Sequence, residues 1–290
     1  MEIDQRRADL HIHTLASDGA DTPEEVLIEA RQAGLTAIAI TDHDSVESIA
    51  EAVALAPSYG VEMIPGVELS VELDDNELHL LGYFIDYQDQ DFCRQLDYLQ
   101  HTRVQRAERM LELLAGMGFP LDMEELLPPD QMTGAVGRLH IALALTRAGY
   151  VRSPGEAFAR YIGNDGPANV QKAKLGIAEA IEMVLQAGGA PVLAHPSQLD
   201  RDDLIPEMVD LGLVGLETYY PSHSRATINH YEELARFYGL LATGGSDSHG
   251  KNRPSVRIGC ATVPYTVVDQ LRARAAGDTP SPEEIGWGEG

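Results

Sequence analysis

At 290 residues, 44% of them apolar, the chain can bury a substantial core, as one large α/β domain with an insertion or as two modest domains. Its 46 acidic and 21 basic residues leave a formal charge of −25, which repels polyphosphate backbones and excludes an extended groove for long nucleic acid. No apolar run reaches the roughly 18–20 residues of a membrane span, MEIDQRRADL has no apolar signal core, and Cys93 and Cys260 form no CxxC pair. A cytoplasmic protein is expected, with N and O atoms as its only metal ligands.

Short Ile-, Leu- and Val-rich runs alternate with helical patterns from the start: ADLHIHT, PEEVLIEARQAG, LTAIAITDHD, SIAEAVALAPSYG and VEMIPGVELSVEL. This rhythm predicts β-α units and a parallel sheet or barrel. Thr22, Pro23 and Glu25 fit N-cap, N1 and N3 of the first helix, and Gly34 fits its end. Asp74-Asp75-Asn76 is a turn signal, with ELHLLGYFID as the hairpin partner that follows.

From about Phe92 to Gly163 only helical periodicity is found, broken by Gly and Pro, with Ser153-Pro154-Gly155-Glu156 reading as a capping box. The β-α rhythm resumes at GIAEAIEMVLQAGG and runs through APVLAHP, GLVGLETYYP and LLATGGSDSHG to VRIGCATVP, giving about seven barrel strands. The expected organisation is a barrel over 1–99 and 168–275, a helical cap over 100–167, and a flexible tail over 276–290. Residues 101–167 hold seven Arg and eight acids, leaving a charge of −24 to the rest, so cap and barrel differ in electrostatic character.

The apolar strands end in metal-capable side chains. His11 and His13, two apart, share one strand face. Asp42, His43 and Asp44 follow the second strand, Glu68 lies on the third and His79 on its partner. Then come His195 in LAHP, Glu217 in LET, and Asp247 and His249 in GGSDSH. Any one of these alone reads equally well as a cap or a hydrogen-bonded core residue. Together they hold six of the ten histidines, and in a β/α barrel the strand ends open on one face. Metal coordination follows from that convergence.

HIHTLASDG, AITDHDS, PGVELS, ELHLLGY, VLAHP and TGGSDSHG resemble, in order and spacing, the motifs of the polymerase and histidinol phosphatase (PHP) family, related to the amidohydrolases. GRLHIALAL, Gly149-Tyr150-Val151 and EAFARYIG are similar to the cap of its 3′,5′-nucleotide bisphosphate phosphatases and 5′-to-3′ exoribonucleases, with Leu139 where members usually carry proline. The resemblance implies a distorted seven-stranded (β/α) barrel with a helical cap and three divalent ions, Mn first, with Zn or Fe as alternatives. By position, His11, His13, Glu68 and Asp247 would hold one ion, Glu68, His79 and His195 a second, and Asp18, His43 and His249 a third.

Ions about 3.5–4 Å apart would make hydroxide available at neutral pH for in-line attack on a phosphate. His223, in YYPSHS, is the expected proton donor to the leaving oxygen, and Asp247 a proton shuttle. Arg138 and His140 in GRLH, Arg160, Asn169, Lys172, Arg225 and Ser246 are the expected substrate-binding residues. The implied substrate is a bisphosphorylated nucleotide such as 3′-phosphoadenosine 5′-phosphate, losing its 3′-phosphate. Short 5′-phosphorylated oligonucleotides are the alternative, followed by histidinol phosphate and by a non-catalytic binding module.

Overall fold

The computed structural model describes residues 5–73, 76–126, 136–170 and 175–278. β1 (Arg7–Ile12), β2 (Ala37–Ile40) and β3 (Glu62–Leu73) run parallel, linked by α1 (Pro23–Gln32) and α2 (Ile49–Tyr59). β4 (Asn76–Tyr83) turns back antiparallel on β3, with Leu73 opposite Asn76 and Ser70 opposite His79. The side chains of the expected turn at 74–76 lie outside the described residues. β5 (Ala190–Leu193), β6 (Gly215–Tyr219) and β7 (Leu241–Gly244) follow, and a short β8 (Val263–Pro264) beside β1 makes the sheet eight-stranded, in the order β7-β6-β5-β4-β3-β2-β1-β8. The segment after β7 returns to β1, where Asp247 N–H donates to His11 C=O at 2.8 Å and His13 N–H to Ser248 C=O at 2.9 Å. These bonds nearly close a seven-stranded barrel.

The VRIGCATVP run departs from the expected pattern: only Val263–Pro264 forms strand β8, lying antiparallel against β1. Gly259 N–H donates to buried Asp9 instead, so this stretch is a loop held by a carboxylate.

Local signals explain most of the elements. The Thr22 hydroxyl accepts from Glu25 N–H, and the Glu25 carboxylate accepts from Thr22 N–H at 2.9 Å, forming the capping box of α1. Ser153 caps α6 (Pro154–Ala157), but Glu156 turns to Arg152 N–H at 2.8 Å, so that box is only half formed. One face of β1 and β2, carrying Ile12, Ile38 and Ile40, packs on α1 and α2. Val67, Leu69, Leu80 and Leu216 pack on α7 (Ile177–Gln186), α8 (Ile205–Asp210) and α9 (Arg225–Tyr238). Ile64, Leu81, Tyr83, Val192 and Leu241 cluster with Val268 and Leu271 of α10 (Tyr265–Ala275). The other side chains of these strands are thereby left for the barrel mouth.

Between β4 and α7 stand α3 (Gln90–Gly116), α4 (Met123–Leu126), α5 (Arg138–Arg147), α6 and a π-helical turn at Phe158–Ile162, with no strand among the described residues there. Phe92, Leu96 and Leu99 of α3 belong to the barrel's outer core; Ala107, Met110, Leu111 and Leu114 belong to a separate cap core with Ile141, Leu145 and Ile162. The change of core falls near residue 100, yet the helix runs through it unbroken. Cap and barrel are therefore joined by a rigid rod. The expected tail beyond 278 lies outside the described residues.

Gly245 is required where the barrel closes, since a Cβ there would lie 2.4 Å from the backbone nitrogen of His11. Gly245→Ala is expected to destabilise the fold by about 1–3 kcal/mol through overpacking. The urea unfolding midpoint reads this; an unchanged midpoint would mean that β1 and the loop after β7 part without cost.

Candidate metal centre

The strand ends bring the predicted ligands together around Glu68, on the inner face of β3 and 1% exposed. His11 Nε2 and His13 Nε2 both lie 3.1 Å from Glu68 Oε2, and Asp247 Oδ1 lies 3.4 and 3.1 Å from the same two nitrogens. On the other side of the carboxylate, Oε1 lies 2.8 Å from His79 Nδ1 and 3.2 Å from His195 Nε2, which are 3.3 Å apart. His43 Nδ1 approaches Oε2 at 3.3 Å, so His43, Glu68 and His79 form another possible triad. A third group gathers at Asp18, whose Oδ1 is 3.2 Å from His249 Nε2 and 3.6 Å from His13 Nδ1, with Oδ2 3.9 Å from His43 Nε2.

Ligand atoms about 2.0–2.2 Å from one ion lie roughly 2.8–3.6 Å from each other in tetrahedral or octahedral arrangements. The first two groups meet that spacing. Asp18 Oδ1 and His43 Nδ1 are buried without a hydrogen-bond partner among the described residues, as atoms reserved for a cation are. The donor set of imidazole and carboxylate suits Mn, Fe or Zn.

The ring nitrogens are oriented by further bonds. His11 Nδ1–H donates to Glu217 at 2.9 Å, and the other Glu217 oxygen accepts from His195 N–H at 2.9 Å. His249 Nδ1–H donates to the Asp247 carbonyl at 2.9 Å, and His13 Nδ1 faces Ser17 Oγ, whose hydroxyl donates to Asp42. Each bond turns an Nε2 lone pair toward the centre. Asp42 also accepts from Thr14 N–H, Thr14 Oγ1 and Ser48 Oγ, fixing the loop that carries Asp18. His195 and Asp247 have φ of 26° and 54°, so backbone strain sits in the site itself.

The electrostatics ask for positive charge. Burial alone would raise the Glu68 and Asp18 carboxyls, yet His43, His11 and His79 hold the first, and His249, His43 and His13 the second, well below the usual range. Burial opposes a charged His13, but Asp247, Glu68 and Asp18 carry its pKa up to about 10. The carboxylates attract any cation, and divalent ions answer that demand most directly.

A cavity of about 290 Å³ opens over the centre. Asp18, His43, His79 and His195 form one wall, and Arg103, Arg106, Arg138, Phe158 and Asn164 line the cap side. Arg138 donates to Asn164 Oδ1 at 2.7 Å and lies 5.9 Å over the Phe158 ring. Asn169 stands behind, accepting from Arg106 at 3.3 Å and donating to Asn164 C=O. Arg103 and Arg106, three apart on α3, went unrecognised in the sequence as lining residues; their i, i+3 spacing on an otherwise amphipathic helix was the available signal.

Arg160 and Arg225 are exposed and absent from the cavity lining; Arg160 pairs with Glu156 at 2.6 Å instead. Ser246 is fully buried, its N–H on Asp9 Oδ1 at 2.8 Å, and it holds Asp247 from behind rather than meeting substrate. His223 donates through Nδ1 to Thr218 C=O at 2.9 Å and faces Ser197 Oγ through Nε2 at 2.8 Å, its ring 5.3 Å from that of Tyr220. Asp247 Oδ2 accepts from Tyr220 at 2.7 Å and Arg253 at 2.8 Å. Lys172 lies outside the described residues.

A β/α barrel whose mouth gathers five imidazoles around one carboxylate, beneath an arginine-lined cavity, defines a metal-dependent phosphoesterase of the amidohydrolase-like type. The PHP domain family matches residues 9–148, and the chain belongs to that family. It is 32% identical over 246 residues (84% of this chain, 94% of the relative) to the phosphoribosyl 1,2-cyclic phosphate 1,2-diphosphodiesterase of Eggerthella lenta. It is 30% identical over 256 residues (87% and 90%) to the 3′,5′-nucleoside bisphosphate phosphatase of Chromobacterium violaceum. The crystal structure named for a metal-dependent phosphoesterase from Bifidobacterium adolescentis superposes with a TM-score of 0.86 at 29% identity, over 93% of this chain and 96% of that one. No helix of the described residues is long and apolar enough to cross a membrane.

Glu217→Gln tests the orienting layer, since it weakens the acceptor for His11 Nδ1–H. Divalent-metal affinity measured by titration calorimetry is expected to fall about 10–100-fold. An affinity equal to wild type would show that His11 is oriented without Glu217.

Proposed function

We propose that the chain is a cytoplasmic phosphomonoesterase that removes the 3′-phosphate from 3′,5′-bisphosphonucleotides. The cavity carries this reading: its floor offers metal ligands, its roof offers Arg103, Arg106 and Arg138, and the aromatic face of Phe158 lies between them. A small molecule with an anionic group at each end fits both walls, whereas a polyanion meets a chain of formal charge −25. The similarity to a 3′,5′-nucleoside bisphosphate phosphatase supports the same choice.

In this reading His11, His13, Glu68 and Asp247 hold one ion, Glu68, His79 and His195 a second, and Asp18, His43 and His249 a third, with Mn preferred. Bound ions would supply Lewis-acid polarisation of the phosphoryl group and a nucleophile from water at neutral pH. The chain's own residues do the rest. Arg138, braced by Asn164, holds the distal phosphate, and Arg106, held by Asn169 and by Val170 C=O, adds charge beside it. Barrel residues 1–99 and 168–275 supply the chemistry, and cap residues 100–167 select the substrate.

Phosphate release from a 3′,5′-bisphosphonucleotide, from the matching 5′-mononucleotide and from a 5′-phosphorylated oligoribonucleotide decides the substrate. Rapid release from the first alone is expected, and degradation of the oligomer with an inert bisphosphonucleotide would overturn the proposal. Arg138→Ala is expected to raise KM about tenfold or more with kcat little changed, as loss of uniform binding does; an unchanged KM removes Arg138 from the distal site. Asp18→Ala and His43→Ala are each expected to lower bound metal from three ions per chain to two, read by elemental analysis. Three ions retained in both would refute the third-site assignment.

A further inference from the structure

His195 has φ 26° and ψ 59°, a left-handed backbone that a histidine adopts only where its surroundings hold it. Its Nε2 nevertheless lies 3.2 Å from Glu68 Oε1 and 3.3 Å from His79 Nδ1, as the second ligand group requires. The β5–β6 ladder cannot fix it there, because the paired residues end at Leu193 and Leu216. Contacts beyond the ladder must hold the turn that carries it.

Three side chains from the end of β6 and the loop after it make those contacts. Glu217 accepts from His195 N–H at 2.9 Å, and the Tyr220 hydroxyl accepts from Gln198 Nε2 at 3.2 Å. Between these two ties stands His223. Its Nδ1–H donates to Thr218 C=O at 2.9 Å, and its Nε2 lies 2.8 Å from Oγ of Ser197, the middle residue of the single 3-10 turn Pro196–Gln198 that follows His195. A carbonyl oxygen only accepts, so Nδ1 carries hydrogen and Nε2 is left to the Ser197 hydroxyl. Both ring nitrogens are thereby engaged within the protein. The ring itself is 9% exposed, with the rings of Tyr220 and Tyr231 at 5.3 and 5.7 Å, so it cannot turn without losing packing as well as both bonds.

We propose that His223 is a positioning residue: by joining Thr218 C=O to Ser197 Oγ it holds the turn in which His195 is strained, and so sets the geometry of the ligand group formed by Glu68, His79 and His195. It acts through His195 and not on the substrate, which distinguishes it from the proton donor expected at its place in YYPSHS. Without the ring the turn is free to relax, and a relaxed His195 backbone carries the imidazole away from Glu68.

Titration calorimetry of the metal-free full-length chain with zinc tests this, because a proton donor has no part in holding an ion. His223→Ala and Ser197→Ala are each expected to weaken zinc binding at one site about tenfold, as loss of an outer partner of a ligand does. The double variant is expected to bind no more weakly than His223→Ala alone, since the two residues share one bond. His223→Gln, which can still meet the Ser197 hydroxyl, is expected to recover part of the loss. In a His195→Ala background, His223→Ala and Ser197→Ala are expected to change zinc binding no further. Wild-type affinity in both alanine variants, no recovery in His223→Gln, or an equal loss with and without His195 would each overturn the proposal; the last would mark a general effect on the fold. Ser197 is exposed, so Ser197→Ala leaves folding intact and decides, with and without His195, even where His223→Ala does not fold. These zinc measurements stand apart from the choice of phosphate ester, which the substrate comparison above decides.

Discussion

Glu68 is a carboxylate buried to 1% exposure with nitrogens of His11, His13, His43, His79 and His195 all within 3.3 Å. An ionised group at that depth is tolerated only when positive charge or several donors compensate it. No single strand can supply five imidazoles to one carboxylate, so the compensation requires β1, the loop after β2, β4 and the end of β5 to be in place at once. Barrel closure and the site are therefore the same event. The backbone carries this link further: Glu68 N–H donates to Asp42 C=O at 3.2 Å, and Asp44 N–H donates to Glu68 C=O at 2.9 Å.

Behind that carboxylate stands a layer of buried acids, Asp9, Asp42 and Glu217, that do not line the cavity over the metal centre. Asp9 accepts from Ser246 N–H, Gly259 N–H and His11 N–H, pinning the loop that carries Asp247. Burial lifts the Asp9 carboxyl to about 6 against those three bonds, so its charge is costly in the fold and is kept by the amides it gathers. Asp42 does the same for the Asp18 loop and Glu217 for two histidines. Asp42 and Glu217 look like ligands in the sequence because they occur at the same strand ends as the ligands themselves. Their distance from the centre makes them braces.

That ambiguity sets what could be read from the sequence. The ligand-bearing strand ends were legible because period-2 alternation places His11 with His13 and separates Glu68 from Val67 and Leu69, and because the β-α rhythm forces C-terminal ends to one face. The capping box at Thr22 was legible because it is local. Roles set by long-range contacts were not. The GRLH motif sets Arg138 apart from Arg160 in the sequence, but only the fold shows one on Asn164 in the cavity and the other beside Glu156 at the surface. His223 sits in a loop that sequence reasoning aims at the site, and of the bonds that fix its ring, to Thr218 C=O and Ser197 Oγ, the second is equally long-range. The boundary near residue 100 was placed by a change in pattern, which marks a change of core and not a break in the chain.

The continuity of α3 bears on how cap and barrel act together. Arg103, 7% exposed, pairs with Asp44 and donates to Ser70, both on the barrel, while Arg106 one turn later holds Val170 and Asn169 at the return from the cap. A buried guanidinium pairs with a carboxylate to offset desolvation, and separating the two would leave both charges stranded. The cap therefore cannot swing freely about α3 without breaking an ion pair to Asp44, whose N–H donates to Glu68 C=O and whose carboxylate accepts from Ser70 N–H, opposite His79 in the β3–β4 ladder. The cavity's cap side and the ligand groups are thus tied through that helix. A near-neutral cap rich in arginine on an acidic chain is suited, in the proposed reading, to holding one anionic group at short range, since the charge of the whole chain opposes attraction of polyanions from a distance.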